Sequence, residues 1–210
     1  MHATLYPPAP WRLSGKAVAI VRATPIERIA AQVPSSLRVV PISPGKTLSV
    51  FFVAQYGERS TFQYCECIVA PALVRRGARI GAWISNIYVD SEVSLQAGRE
   101  VWGLPKQLAK FDWRWEERGR VAMIHDEVSF ELTASPTKTR WPLPLLGGAF
   151  GTLASDPTWF AVRGWSRVGK TDGKLWTRSK PLTTYDFDAP GTIYDLRLSS
   201  LKIRAPVHLR

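Results

Sequence analysis

The sequence predicts a mainly β protein with a few short helices, built as a closed or double-sheet antiparallel architecture. Predicted strands outnumber predicted helices heavily, and the chain carries sixteen prolines and nine tryptophans. Such a composition favours short strands, turns and aromatic-lined cavities over a helical bundle. With 210 residues, 45% of them apolar, the chain can bury the core of one domain, which we expect to span residues 1–210.

The first predicted element is a strand over residues 16–22. A helix is predicted next, with Thr24 as N-cap, Pro25 in the first turn and Glu27 closing a capping box, and it should end near Val33. Runs rich in Val, Phe, Ile and Tyr then predict further strands, separated by Pro-Gly and Gly turns. These strands are expected over residues 37–42, 47–55 and 61–69.

Residues 78–89 are predicted to form a long central strand. Either Asp90 or Ser91 then caps a second helix, which Gly103 and Pro105 terminate. The apolar face of this helix is predicted from the i, i+4, i+8 positions Val93, Ala97 and Val101.

The remainder of the chain is predicted to be strands and one long loop. The loop, residues 136–151, is rich in Pro and Gly with an apolar middle, and is long enough to act as a lid or pocket wall. The strands are expected over residues 107–116, 119–125, 127–134, 159–167, 174–182, 184–188 and 192–204.

The net charge of +11 raises the question of a nucleic-acid partner. The basic residues are scattered along the sequence, with Arg75, Arg76 and Arg79 the only tight cluster, and no zinc-finger, RNP-like or helix-turn-helix signature is present. A basic field attracts small carboxylates equally well. We therefore expect no nucleic-acid partner.

Metal ligands and membrane signals are also absent from the sequence pattern. Cys65 and Cys67 are the only cysteines, and in a strand they would share one face, buried rather than bonded. The three histidines show no metal-binding spacing, so no metal or cofactor is expected. No apolar run approaches membrane-spanning length. We expect a cytoplasmic protein without a membrane partner.

Lys106 is the residue on which the functional interpretation depends. It follows the helix terminator and is predicted to begin the next strand. An ordinary lysine has a pKa near 10.4, so only about 0.04% of it is neutral at pH 7.

A nucleophilic lysine needs desolvation or a cationic neighbour. Gln107 is neutral, and a helix C-terminus favours the charged amine, so burial would have to dominate. The apolar residues available for this are Trp102, Leu104, Pro105 and Leu108. The competing interpretation is a solvated surface lysine, since buried lysines are rare.

Tyr64 and Glu66 are two residues apart in a predicted strand, so both side chains should face the same side. A phenol and a carboxylate that face a cavity are able to move protons in a carbonyl reaction. If that face is instead the outer one, Glu66 is an ordinary solvent-facing residue. The periodicity leaves both interpretations open.

Four segments, in this order, make the chain resemble the acetoacetate decarboxylase superfamily. They are Tyr64-Cys65-Glu66, residues 84–90, Gly98-Arg99-Glu100 and Pro105-Lys106-Gln107-Leu108. The resemblance implies a β-cone or barrel around a buried cavity, usually in a homo-oligomer. It implies that Lys106 is the Schiff-base lysine and Glu66 the cavity carboxylate that handles protons. Tyr64, Trp102, Leu104 and Gln107 are then the expected substrate-binding residues.

The sequence departs from the decarboxylase pattern at three positions. The resemblance implies a second lysine directly after the first, where this chain has Gln107. The arginine that meets the substrate carboxylate would fall at about Gly15, and a further cavity glutamate near Phe51. The imine-forming amine and one carboxylate are retained, whereas the groups suited to a β-keto acid carboxylate are lost.

The expected function is a Schiff-base-forming lyase that acts on a small oxo acid, ketone or related carbonyl compound. A protonated imine on Lys106 would stabilise the enamine left by decarboxylation, or one formed in aldol, retro-aldol, dehydration or cyclisation chemistry. The alternative is a non-catalytic binding protein for an apolar carbonyl-containing ligand on the same fold.

Overall fold

The architecture consists of two β-sheets accompanied by short helices. The computed structural model describes residues 6–125, 128–135, 137–153, 156–177 and 191–209. Within these residues the chain forms a twelve-stranded sheet and a four-stranded sheet. The predicted fold class, mainly β with a few short helices, is confirmed, although the larger sheet is not closed into a barrel.

The elements have the following bounds. The larger sheet contains β1 (Trp11–Pro25), β2 (Arg38–Val39), β3 (Lys46–Tyr56), β4 (Tyr64–Ala70), β5 (Ala72–Arg76), β6 (Arg79–Trp83), β7 (Asn86–Val89), β8 (Lys106–Leu108), β12 (Trp141–Leu153), β13 (Asp156–Thr171), β15 (Thr192–Ile203) and β16 (Val207–His208). The smaller sheet contains β9 (Lys110–Arg114), β10 (Arg120–His125), β11 (Val128–Ala134) and β14 (Gly173–Thr177). The helices are α1 (Ile26–Ile29), a 3₁₀ turn (Ala30–Gln32), α2 (Glu92–Trp102) and α3 (Trp115–Arg118).

The two faces of the larger sheet have different neighbours. Its strand order is β2-β5-β6-β12-β13-β15-β1-β3-β4-β7-β8, with β16 beside β13, and most neighbours are antiparallel. One face packs against the smaller sheet, for example through the perpendicular rings of Phe51 and Phe130, whose centroids are 5.0 Å apart. The opposite face surrounds a cavity, so the sheet places the site on its concave side.

The predicted capping box at Thr24 is wrong. Strand β1 extends through Pro25, because Thr24 and Pro25 continue the pairing with β3. The Thr24 hydroxyl hydrogen bonds with the Ser49 hydroxyl at 2.6 Å inside the sheet, and no side chain caps α1. Only one α-helical turn and a 3₁₀ turn follow, so sheet pairing overrides the local helix signal.

The predicted strand over residues 78–89 is two strands. β6 ends at Trp83 and pairs with β5 and β12, whereas β7 begins at Asn86 and pairs with β4 and β8. The break between β6 and β7 could not be predicted from the sequence. Both strands are partly buried and form one continuous apolar run, and hydrophobic periodicity does not indicate that the neighbouring strand changes. β5 was not predicted, and the strand expected over residues 37–42 shortens to β2.

Helix α2 follows the prediction closely at both ends. Ser91 is the N-cap, and its hydroxyl accepts a hydrogen bond from the Ser94 backbone N–H at 3.3 Å. Gly103 ends the helix in the left-handed region, with φ of 65°. The buried face is rotated from the predicted one, however. Its buried residues are Ser94, Ala97, Gly98 and Trp102.

The predicted loop over residues 136–151 is wrong, because its described part from Trp141 onward is strand β12, paired with β13 along its length. Pro142 and Pro144 are compatible with this strand because a proline is tolerated where its nitrogen faces away from the partner strand.

Strand β9 is shorter than expected, since α3 interrupts the run over residues 107–116. Strands β10, β11, β13 and β15 confirm their predictions in outline. Of the strand expected over residues 174–182, β14 covers the first part. The rest of it and the whole strand expected over residues 184–188 lie outside the described residues.

The two cysteines are buried and free, as predicted. Burial raises the pKa of the Cys65 thiol to about 12. Among the described residues, no group of three or more His, Cys, Asp or Glu side chains is arranged to hold a metal ion. None of the helices in the described part of the chain is long and apolar enough to cross a membrane.

Gly103→Ala should destabilise the fold more than Gly45→Ala. Both glycines have positive φ, 65° and 69°, so each alanine meets the left-handed penalty of about 1–2 kcal/mol. At Gly103 the added Cβ would also lie 2.4 Å from the backbone oxygen of Thr152, whereas Gly45 has open space. Urea unfolding of the two variants measures the difference, and equal losses would contradict the close approach of α2 and β12.

Candidate active site

Lys106 is a buried amine with two hydrogen-bond partners. Its strand β8 pairs in parallel with β7, opposite Ile87. The residue is 2% exposed. Its Nζ donates to Glu66 Oε2 at 2.9 Å and to Ser94 Oγ at 2.8 Å. The interpretation of Lys106 as a solvated surface residue is therefore wrong.

Glu66 receives three hydrogen bonds. It lies on β4, is 5% exposed, and accepts from Lys106, from the Tyr64 hydroxyl at 3.3 Å and from the Tyr56 hydroxyl at 3.1 Å. Burial first, and then the negative charge of Glu66, raise the pKa of both tyrosines well above 10. Both phenols consequently stay protonated at neutral pH and act as donors to the carboxylate.

The segment Gly98-Arg99-Glu100 holds Lys106 and the chain around it in place. A Cβ built on Gly98 would lie 2.3 Å from Cδ of Lys106, so the lysine side chain crosses α2 where only glycine leaves room. Arg99 Nε donates to the Lys106 carbonyl at 2.8 Å. Glu100 accepts from the Tyr6 hydroxyl at 2.7 Å. One helix turn thus fixes the backbone and the side-chain path of the lysine.

Aromatic rings surround the amine. Nζ of Lys106 lies 5.3 Å from the ring centroid of Tyr64 and 5.9 Å from that of Trp11, distances at which a cation interacts with the ring face. Trp11 packs edge-on against Trp102 at 4.6 Å. The Trp102 indole N–H donates to the Arg204 carbonyl at 2.8 Å, so this ring is held rigidly.

The buried pair borders a cavity of about 320 Å³ on the concave side of the larger sheet. Of the expected substrate-binding residues, Tyr64, Trp102 and Leu104 line it. Gln107 does not line it, because successive strand residues point to opposite faces and Lys106 takes the cavity side. The rest of the wall is largely apolar; it includes Phe52, Ile68, Ile84, Leu145, Phe160 and Leu201.

The cavity wall contains no arginine, and Lys106 is its only cation among the described residues. At the position where the resemblance implied an arginine, Gly15 packs so closely that a Cβ would lie 2.0 Å from the Gln55 carbonyl oxygen. Phe51 faces the smaller sheet rather than the cavity. Its neighbours on the cavity side, Val50 and Phe52, are apolar as well.

Three residues of the site were missed from the sequence: Tyr56, Ser94 and Trp11. Tyr56 pairs with Tyr64 in the β3–β4 register, and its alternation with Val50 and Phe52 was a usable signal. Ser94 precedes Gly98 by four residues, so both lie on one helix face. Trp11 precedes the predicted start of β1, and no local pattern connects it with Lys106.

The site is thus a buried lysine–glutamate pair beside an apolar cavity, in a cone-like β fold. The family model for acetoacetate decarboxylase (ADC) matches residues 2–142. The chain belongs to the acetoacetate decarboxylase family.

Relatives of known sequence match about half of the chain. The protein NEOXANTHIN-DEFICIENT 1 of Solanum lycopersicum is 31% identical over 106 residues, which is 50% of this chain and 36% of that protein. Its Arabidopsis thaliana counterpart is 29% identical over 106 residues, 50% of this chain and 37% of that protein. The matched region therefore spans little more than a third of these relatives.

Solved structures share the fold over the whole chain. Acetoacetate decarboxylase from Legionella pneumophila superposes with a TM-score of 0.69 at 16% identity, covering 100% of this chain and 92% of that one. An acetoacetate decarboxylase-like enzyme from Sphingomonas wittichii RW1 gives 0.67 at 16%, covering 100% and 96%. The enduracididine biosynthesis enzyme MppR, complexed with pyruvate, gives 0.65 at 17%, covering 100% and 93%.

Gly98→Ala should break the Lys106–Glu66 pair. The added methyl group takes the space of Cδ, and a glutamate that loses its buried partner costs about 3–5 kcal/mol, of which the better helix propensity of alanine offsets about 1 kcal/mol. A crystal structure of the variant should show Nζ more than about 4 Å from Glu66, with a lowered free energy of unfolding.

Two further variants control this experiment. Gly57→Ala, where the added methyl group meets nothing within 4 Å, should leave stability nearly unchanged. Adding Glu66→Gln to Gly98→Ala should recover part of the loss, because it removes the uncompensated charge. An intact pair and unchanged stability in Gly98→Ala would contradict the role of this glycine.

Proposed function

We propose that this protein is a Schiff-base-forming lyase that acts on a carbonyl compound through Lys106. The observation that carries the proposal is the buried Nζ at the wall of an apolar cavity, 2.9 Å from a carboxylate that can take its proton. An amine, a neighbouring proton acceptor and an apolar cavity are the parts that imine chemistry needs.

Imine formation would begin with transfer of a proton from Lys106 to Glu66. The neutral amine then attacks the carbonyl carbon of the substrate, and one proton passes from the attacking nitrogen to the former carbonyl oxygen to give a neutral carbinolamine. Glu66 is positioned to return its proton to the departing hydroxyl, so that water leaves and a protonated imine remains. Tyr56 and Tyr64 hold the carboxylate in place throughout this exchange.

The protonated imine would then act as an electron sink. Breaking a bond to the α-carbon, either C–H or C–C, leaves its electron pair in an enamine that the former imine nitrogen stabilises. In the C–H case Glu66 accepts the proton. Protonation of the enamine and hydrolysis of the imine release the product and regenerate the amine.

The cavity favours a ketone or aldehyde with an apolar body over a small oxo acid. A substrate carboxylate would find no arginine at the wall, and its only cation would be the lysine that must react. We therefore place aldol, retro-aldol, dehydration or cyclisation chemistry ahead of decarboxylation. The complexes of MppR with pyruvate and with the condensation product of pyruvate and imidazole 4-carboxaldehyde support a carbon–carbon bond-forming use of this fold.

The second candidate function is non-catalytic binding of an apolar carbonyl-containing ligand. One observation favours it: Lys106 and Glu66 form a hydrogen-bonded ion pair that also satisfies Ser94, so the pair can exist for the fold alone. In either case we expect a cytoplasmic homo-oligomer that needs no cofactor.

Sodium borohydride should trap a ketone or aldehyde on Lys106, because it reduces the imine to a stable secondary amine. Intact mass with a panel of apolar ketones, aldehydes, pyruvate and acetoacetate should show a single adduct, and peptide mapping should place it at residue 106.

The matched variants for trapping are Lys106→Met with Glu66→Gln, and Lys110→Met. The first removes both buried charges together, which avoids an unpaired carboxylate and keeps the fold. It should lose the adduct, whereas Lys110→Met, at an exposed strand position, should keep it. Tight ligand binding without any adduct across the panel would favour the non-catalytic binding function and contradict the proposed lyase activity.

Glu66→Gln should separate imine formation from proton transfer at carbon. Because the amide is no base, exchange of the α-hydrogens of a bound ketone with deuterated solvent should fall by about a hundredfold or more. Borohydride should still trap the imine, more slowly. NMR of the recovered ketone measures the exchange, and an unchanged exchange rate would remove Glu66 from the mechanism.

A further inference from the structure

The cavity extends well beyond the buried pair of Lys106 and Glu66. One wall follows β3 and β4, where four cross-strand pairs place their side chains on one face of the sheet. In order along the strands they are Tyr56 with Tyr64, Ala54 with Glu66, Phe52 with Ile68, and Val50 with Ala70. The last two pairs line the same cavity as Lys106. At about 3.3 Å per residue, Ala70 lies about 13 Å along β4 from Glu66. A molecule bound at Lys106 therefore has room to extend along the two strands.

Five aromatic side chains close the cavity behind the amine. Their rings form a continuous layer with successive centroids 4.8, 4.9, 4.7 and 4.6 Å apart, in the order Tyr56, Tyr64, Phe62, Trp11 and Trp102. All of them except Phe62 are buried. Packed rings leave few voids, so a carbonyl carbon bonded to Nζ of Lys106 has room for only a small group on this side.

The other end of the cavity opens to solvent. Tyr56, Tyr64 and Glu66 are buried, whereas the wall residues further along the strands, Phe52, Ile68 and Val50, are half-buried. Across the cavity, Leu145 and Gly148 of β12 are half-buried as well. A ligand that enters here reaches the amine with its leading end and leaves its trailing end near the opening.

The part of the cavity between the pair and the opening is apolar. We call it the apolar arm; it is lined by Val50, Phe52, Ile68, Ala70, Ala82 and Leu145. The indole N–H groups of Trp11 and Trp102 donate to the carbonyls of Pro7 and Arg204. The other polar side chains of the described wall are those of Tyr56, Tyr64, Glu66 and Lys106, at the closed end. A hydroxyl or charge in the arm would lose water without gaining a side-chain partner, which is unfavourable.

We propose that the ligand of this cavity is an extended apolar molecule with its carbonyl group at one end, an aldehyde or methyl ketone, which enters carbonyl first. The hydrogen or methyl group lies against the aromatic layer, and the chain follows β3 and β4 through the apolar arm. This inference rests on the proposed function for the role of Lys106, and it adds the position of the carbonyl group and the shape of the rest of the molecule.

The first test is a series of methyl ketones of increasing length: acetone, methyl propyl, methyl hexyl and methyl nonyl ketone. Calorimetric titration without borohydride measures their affinities. Each methylene that enters the apolar arm should strengthen binding by about three- to fourfold, with no further gain once the chain reaches the opening. Equal affinities along the series would overturn the proposal.

The second test changes only the position of the carbonyl group. Methyl nonyl ketone and dipentyl ketone contain the same atoms, but the second carries a long chain on both sides of its carbonyl carbon. Borohydride should trap the methyl ketone on Lys106 at least about tenfold faster, because the aromatic layer leaves no room for the second chain. Each rate is corrected for the reactivity of that ketone toward free N-acetyl-lysine methyl ester. Equal corrected rates would contradict entry with the carbonyl first.

The third test fills the apolar arm from two sides. Ala70→Leu and Val50→Phe lie opposite each other across β3 and β4, and the second serves where the first does not fold. Either should lower the ratio of the affinity for methyl nonyl ketone to that for methyl propyl ketone by at least about tenfold, because methylenes are displaced from the arm. Ala78→Leu, in the exposed turn between β5 and β6, should keep the ratio. An unchanged ratio in the folded filling variants would overturn the proposal.

The outcomes for the ligand shape and for the lyase activity are separate. Affinity that rises with chain length, without any borohydride adduct, would support the apolar arm and contradict imine formation. Adducts on Lys106 that form equally well with short and long ketones would support imine formation and contradict the proposed ligand.

Discussion

The buried pair of Lys106 and Glu66 is the constraint around which the concave side of the sheet is organised. Moving two charges out of water costs several kcal/mol per ion, and their attraction offsets this only with good geometry and further hydrogen bonds. Here the Ser94 hydroxyl accepts a hydrogen bond from the amine, while the hydroxyls of Tyr56 and Tyr64 donate hydrogen bonds to the carboxylate. Strands β3, β4 and β8 and helix α2 must therefore come together in one register before the pair is stable.

Local signals were sufficient for the part of the fold that presents the lysine. Ser91 and Gly103 satisfy backbone groups of α2 itself, so the sequence around them determines both helix ends. Thr24 carries an equally good capping signal and forms no cap, because β3 offers its neighbourhood a full set of backbone hydrogen bonds. Whether a capping signal leads to a cap depends on the backbone hydrogen bonds that a distant strand can make with the same residues. The local sequence carries no information about that strand.

The same distinction between local signals and distant strand pairing explains which residues of the site could be predicted. Alternation along one strand places Tyr64 with Glu66, but only the register between β3 and β4 adds Tyr56. Basic residues on neighbouring strands are a stronger case. Arg12, Arg163 and Lys202 are scattered along the chain, and scatter of this kind was the argument against a nucleic-acid partner, yet strand pairing sets these three side by side. A β-sheet can assemble a patch that no sequence window shows.

Strand β8 is three residues long and ends the strand order of the larger sheet, with β7 its only strand neighbour among the described residues. Edge segments with few backbone hydrogen bonds open locally far more easily than central strands. The Lys106 carbonyl gains a hydrogen bond from the Arg99 side chain, not from a further strand. Arg99 thus supplies at this edge a hydrogen bond that a further strand would otherwise make, and its loss would lower the free energy needed to open the segment that carries Lys106.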